Sequence, residues 1–156
     1  MFLMAAFDEL VDARKRLAVA ESMITKTYSL SHDPKILLAV AEDIYAALLS
    51  SVRAVLAASK KKARGDFSAI FALFRDVSEE HGFGEDDLSL LQALHKVISE
   101  HESSPVEFAR KGSFVMCDRN YRCEVLSLGD MQKYLFRVRL FIRKAEKMLM
   151  QRDTKK

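Results

Sequence analysis

From Pro34 to Lys62 the apolar positions Leu37, Val40, Ala41, Ile44, Leu48, Val52, Val55 and Leu56 recur at helical spacing. Plotted at about 100° per residue, together with Leu38, Tyr45 and Leu49, they cover roughly half of the helix circumference. Ala39, Ala46, Ser50 and Ala57 keep much of the remainder small, and only Glu42, Asp43 and Arg53 mark a wet edge before Lys60-Lys61-Lys62. A helix this apolar is buried on several sides, so 34–62 is predicted to be the centre of the fold.

The same periodicity organises the rest of the chain. Leu3, Phe7, Leu10, Leu17, Ile24 and Tyr28 predict a first amphipathic helix over 2–28, with Arg14-Lys15-Arg16 in solvent. Asp33 suits an N-cap and Pro34 a first helical position, so the two long helices should form an antiparallel hairpin. Asp66 caps a third helix, 66–82, carried by Phe67, Ile70, Phe74 and Val77 and ended by Gly82. Glu85-Asp86-Asp87 favour the start of a fourth, 86–101. Ser104-Pro105-Val106-Glu107 reads as a capping box, predicting one or two helical turns that end at Gly112. Two short β-prone runs flanking Asp118-Arg119-Asn120-Tyr121 predict a hairpin over 113–125. Ser127 with Asp130 opens the last helix, 128–151, and 152–156 is expected to fray. The expected fold class is all-α, an up-down bundle of four to five helices in one domain, with a small irregular or β-hairpin insert before the last helix.

Composition narrows the classes. The 156 residues are 49% hydrophobic and 30% charged, a globular balance with enough length for a core. The net charge of +3 is too small to diagnose nucleic-acid binding, so charge distribution has to carry that argument. The longest apolar run, Met1 to Phe7, is far short of a spanning helix and lacks the marks of a signal peptide, so no membrane partner and a cytoplasmic location are expected. In that setting Cys117 and Cys123 are expected as free thiols. A cross-strand disulfide is geometrically possible if Arg119-Asn120-Tyr121 form the loop, with Asn120 in the left-handed conformation. Glycine-rich phosphate loops, nucleophile elbows, HExxH motifs and zinc spacings are absent from the sequence, and no cofactor is expected.

Two long helices, a second pair, an irregular insert and a final helix resemble the HEPN (higher eukaryotes and prokaryotes nucleotide-binding) domain family. The texts that carry this are Ser104-Pro105-Val106-Glu107-Phe108-Ala109-Arg110-Lys111, Asn120-Tyr121 and Gln132-Lys133-Tyr134-Leu135, similar to the region joining the last two helices in small prokaryotic members. The resemblance implies either a metal-independent ribonuclease, with an Arg and a His four to six residues later near the end of the third helix and usually contributed by both subunits of a dimer, or a non-catalytic module. Such modules bind partners such as nucleotidyltransferases, nucleotides or RNA.

Arg75 and His81 fit the catalytic spacing, the histidine as general acid or base and the arginine stabilising charge on a phosphate. Against this, His81 is in phase with the core stripe, and Asp76, Glu79 and Glu80 between the pair repel phosphate. His95 and His101 lack the i, i+4 spacing of a helical metal pair, so no metal is expected. Residues 130–156 hold nine Lys or Arg against three Asp or Glu. Lys133, Arg137, Arg139, Arg143, Lys144 and Lys147 project away from the apolar stripe Leu128, Met131, Leu135, Val138, Ile142, Ala145 and Leu149 of the last helix, and Lys133, Arg137 and Lys144 with the interleaved Phe136 and Leu140 form a candidate partner or nucleic-acid surface that Arg110, Lys111, Arg119 and Arg122 extend. The expected function is a non-catalytic, homodimeric interaction module binding protein, nucleic acid or nucleotide. The ribonuclease and a purely structural adaptor are the alternatives.

Overall fold

In the computed structural model, which describes residues 2–154, the first amphipathic stretch forms α1 (Phe2–Ser22). It continues through a π-helical segment (Met23–Tyr28) and a last α turn (Ser29–Ser31) that His32 closes with φ 53°. Asp33 then accepts the Lys35 N–H at 3.0 Å, Pro34 enters the helical conformation, and α2 runs Lys35–Ala58. This matches the capping chemistry expected of both residues.

The core of the fold is the coverage of α2. Leu37, Val40, Ile44, Leu48, Val52, Val55 and Leu56 are all 0% exposed. The most extensive contact is with α1, which offers Ala6, Leu10, Ala13, Leu17 and Ala20, continued by Ile24 of the π-helical segment, in a small-large alternation at heptad-like spacing. The alanines let the two backbones approach, a signal stronger than the larger residues on which the periodicity rested. Ser50 joins the pair by donating to Asp12 Oδ2 at 3.0 Å.

The central helix ends at Ala58 and does not reach Lys62. Lys60 takes φ 61°, and the Lys61 N–H returns to the Leu56 carbonyl at 2.8 Å. A left-handed residue closed by this longer bond is a Schellman stop, here built on lysine instead of glycine. Asp66 caps α3 (Phe67–Ser78) by accepting the Ala69 N–H at 3.1 Å. A 3-10 turn (Glu79–His81) follows, and Gly82 with φ 81° ends it, the Phe83 N–H reaching the Ser78 carbonyl at 2.9 Å. In α4 (Glu85–Ser103), Asp87 reaches back to the Gly84 N–H at 3.0 Å.

The helical turns expected after Ser104 are absent. Val106–Arg110 is a strand, β1, paired antiparallel with β2 (Ser113–Cys117), which pairs in turn with β3 (Cys123–Leu126). The insert is therefore a three-stranded sheet in the order β1-β2-β3. Ser104 donates to the Glu100 carbonyl behind it and does not cap a helix ahead. Lys111 and Gly112, at φ 48° and 78°, form a two-residue turn with both residues left-handed, as a tight hairpin requires. Phe114, Met116 and Leu126 turn their faces to the core.

The Cys117–Cys123 pair is a disulfide, correcting the expectation of free thiols. The reason lies in the next turn. Asp118 Oδ1 accepts the N–H groups of Asn120 and Arg122, and the Asp118 N–H bonds the Arg122 carbonyl at 2.9 Å. The left-handed residue is Tyr121, φ 61°, and not Asn120. This type of loop puts the two cysteines opposite each other at a non-hydrogen-bonded position, where strands approach most closely, with Cα atoms 4.1 Å apart.

Ser127 accepts the Asp130 N–H at 3.1 Å and starts α5 (Leu128–Thr154). Its buried face is formed by Met131, Leu135, Val138, Ile142, Ala145 and Leu149 together with Phe141 and Met148, and Phe141 packs on Phe74 and Phe83 at centroid distances of 5.7 and 4.8 Å. The helix outlasts its expected end at 151. Residues 152–154 of the expected frayed tail are helical, and Lys155, Lys156 and Met1 of the first apolar run lie outside the described residues. Among the described residues no helix is long and apolar enough to cross a membrane.

Alkylation of the folded protein without reductant, followed by mass spectrometry, should label neither cysteine. Two labels on the native protein would exclude the bridge.

Candidate functional site

The end of the central helix needs partners. Its last carbonyls have no intrahelical donor, and the turn at Lys60 serves those of Val55, Leu56 and Ala57. The Ala58 carbonyl is taken by Arg152 Nη1, from the far end of α5. The other arm of that guanidinium, Nη2, lies 3.3 Å from His81 Nε2, and the Ser59 hydroxyl is 3.0 Å from the same nitrogen. His81, Ser59 and Arg152 thus meet at one point, brought together by three elements.

The protonation state follows from donor inventory. A guanidinium only donates, so His81 Nε2 is the acceptor and the ring proton sits on Nδ1. The Ser59 hydroxyl has one proton for two acceptors, His81 Nε2 and the Val55 carbonyl at 2.9 Å. Burial lowers the His81 pKa below the ordinary histidine value and the Arg152 charge lowers it further, while Glu80 acts in the opposite direction. His81 is a neutral latch whose basic nitrogen is already occupied.

Arg75 does not join it. Six residues on a helix rotate the second side chain about 120° from the first, and Arg75 lies exposed with its guanidinium 5.8 Å from the Phe71 ring centre. No hydrogen bond or ion pair among the described residues connects Arg75 with His81. The other histidines are also engaged. His95 stacks on Phe67 at 3.6 Å, and His101 Nδ1 donates to Glu107 at 2.8 Å, tying α4 to β1. Among the described residues no group of His, Cys, Asp or Glu side chains is arranged to hold a metal ion.

The basic residues of α5 divide into two sets. Arg137 donates to the Asp86 carbonyl at 3.1 Å, Lys144 pairs with Asp87 at 2.9 Å, and Arg139 pairs with Glu21 at 3.0 Å. These hold α5 against α4 and α1. Lys133, Arg143 and Lys147 have no such partner among the described residues. With Phe136, Leu140 and Met150 they occupy an arc of about 100°, opposite the buried face. Phe136 is 57%, Leu140 41% and Met150 60% exposed. From Lys133 to Met150 this stripe runs about 26 Å.

Arg110 and Lys111 sit at one end of β2 and Arg119 and Arg122 at the other. Five residues of strand put about 16 Å between the two ends, so these four bases form two separate groups and not one patch.

No family model matches the sequence. No curated protein matches it either. The functional reading therefore rests on the arrangement itself. Ser59, Met150 and Arg152 are the members that sequence reasoning missed. A helical wheel of α5 extended to Met150 already places Arg143, Lys147 and Met150 with Phe136 and Leu140, whereas nothing local marks Arg152 or Ser59 as partners of His81.

Because the folded state holds His81 less basic than the unfolded chain, the unfolded chain binds more protons as pH falls through the ordinary histidine pKa of about 6.5. Stability is fully present above that value and declines below it, until the lower folded pKa is passed. Urea melts of the wild type and His81→Gln between pH 8 and 5 should show a shallower decline in the variant. Parallel declines would contradict the latch.

Proposed function

We propose that this chain is a non-catalytic helical interaction module, dimeric in solution, whose partner surface is the Lys133–Met150 stripe of α5. The observation that carries the reading is the sorting of bases in that helix. Those that serve the fold are paired internally, and those left over are aligned with three exposed apolar side chains. An exposed apolar ridge flanked by unpaired cations suits a partner with apolar contacts and negative charge, either an acidic protein face or a phosphate backbone with stacked bases. The up-down bundle and the resemblance to non-catalytic HEPN domains are part of the same proposal, in keeping with the helix order and the short sheet before the last helix.

The ribonuclease alternative lacks a specific supporting observation. A general base needs a free nitrogen and an adjacent electrophilic group, whereas His81 Nε2 faces Arg152 and Arg75 points elsewhere. The cytoplasmic location expected from the sequence fits a reduced hairpin, and the Cys117–Cys123 bond fits an oxidising one.

Purified protein incubated with single-stranded and structured RNA in EDTA should leave the RNA intact. Cleavage that disappears in His81→Gln would overturn the non-catalytic reading. Fluorescence anisotropy with labelled single-stranded RNA then separates the partner classes. Three phosphate contacts give a slope of about −2 in log affinity against log salt, and replacing Lys133, Arg143 and Lys147 by Gln should flatten it. RNA binding that keeps its salt slope in the triple variant would remove the stripe from the proposal.

A further inference from the structure

β1 is an outer edge of the sheet, and all five of its residues are exposed. The direction of its backbone groups follows from the second turn. Asp118 and Arg122 form a hydrogen-bonded pair, so Cys117–Cys123 is non-bonded and Met116–Glu124 is bonded again. Met116 spends its N–H and C=O on β3, and the same alternation holds for Phe114 opposite Leu126. Their β1 neighbours, Glu107 and Ala109, are therefore not bonded to β2. The N–H and C=O of these two residues point outward from the edge.

Such an edge is normally blunted by lysine, proline or a bulge. Pro105 and Lys111 stand just outside Val106–Arg110, the strand's own charges are Glu107 and Arg110, and its register with β2 is uninterrupted. The sheet face turned away from the core carries Val106, 52% exposed, and Phe108, 42% exposed, with the buried Val115 lying between Phe108 and Val125 of β3.

We propose that β1 pairs antiparallel with β1 of a second copy about a two-fold axis through Phe108, joining two three-stranded sheets into one of six strands. This rests on the proposed dimer and places its interface on the sheet, away from the α5 stripe. The stripe itself is a poor self-interface, since pairing two copies gathers six cations with no carboxylate between Lys133 and Met150 of the stripe to offset them.

Hydrogen bonding and charge select the register. Centred on Phe108, each Glu107 faces Ala109 of the second copy, and all four outward groups of each strand are used in four inter-copy bonds. The two Phe108 rings meet at a non-bonded position, where side chains are closest, and the Arg110 stem lies beside Val106 of the second copy. Centring on Glu107 opposes two carboxylates and sets Ala109 against Pro105, which has no N–H. Centring on Ala109 sets Glu107 against Lys111, which is turned out of the strand at φ 48°. The first register alone satisfies every outward group. A contact of five residues on each side is small, so the dimer is weak.

Sedimentation velocity of the full chain from about 10 to 500 μM tests this, with circular dichroism of each variant as the folding check. The wild type should shift from monomer to dimer across that range. Ala109→Pro removes one outward N–H that has no use within the monomer, and Phe108→Lys opposes two charges at the axis, so each should weaken association at least tenfold. If Ala109→Pro does not fold, Phe108→Lys alone decides. Leu140→Lys should leave the dimer unchanged and affect only partner binding. A dimer that survives both strand substitutions, or is lost in Leu140→Lys instead, would overturn the assignment to β1, and a wild type monomeric at 500 μM would overturn the dimer as well.

Discussion

The structure depends on covering one helix. α2 is too apolar for a single neighbour, and each of the other helices takes a share of its surface. α1 takes the largest side, through alanines that bring the backbones together, and α5 and α4 take the next. The sheet contributes the inner faces of Phe114, Met116 and Leu126 to the same buried cluster. Each fully buried aliphatic side chain contributes about 1.5–3 kcal/mol, so losing any one of these covers exposes a large share of the driving force for folding. The clamp at Ala58 belongs to this arrangement. Arg152 satisfies a carbonyl that the end of the apolar helix leaves over, and the positive charge lies at the negative end of the helix dipole.

That requirement also sorts the polar residues. A side chain that holds covering helices together is committed inside the molecule, as with Arg139 to Glu21, Lys144 to Asp87 and Arg14 to Glu146 at 2.6 Å. These exposed pairs contribute little stability individually, and their value is to fix which face of α5 turns outward. Among the features this sorting leaves exposed are the stripe on α5 and the edge of β1. The two lie on different elements and differ in chemistry, one cationic and ridge-like, the other a row of backbone donors and acceptors.

Legibility in the sequence followed the range of each interaction. The body of α2, the caps at Asp33, Asp66 and Ser127 and the stop at Gly82 are local, and all are present in the structure. Ser104-Pro105-Val106-Glu107 misled because serine caps a helix from either end and Glu107 finds His101 instead of its own backbone. Gly112 serves a helix stop and a tight hairpin turn equally well. A lysine in the left-handed conformation at residue 60 has no sequence mark, so α2 read four residues too long. For the candidate site the limit was separation in sequence, since Ser59 and Arg152 lie 22 and 71 residues from His81. The Arg75–His81 spacing was visible, but their divergence required the third dimension.

Native-state hydrogen exchange tests most directly whether α2 is the element on which the others depend. The slowest amides should lie between Val40 and Leu56 and exchange only by global unfolding, with β1 and the ends of α5 opening at lower free energy. If the amides of α2 exchange by local opening, as fast as those of β1, the central helix is not the scaffold of this fold.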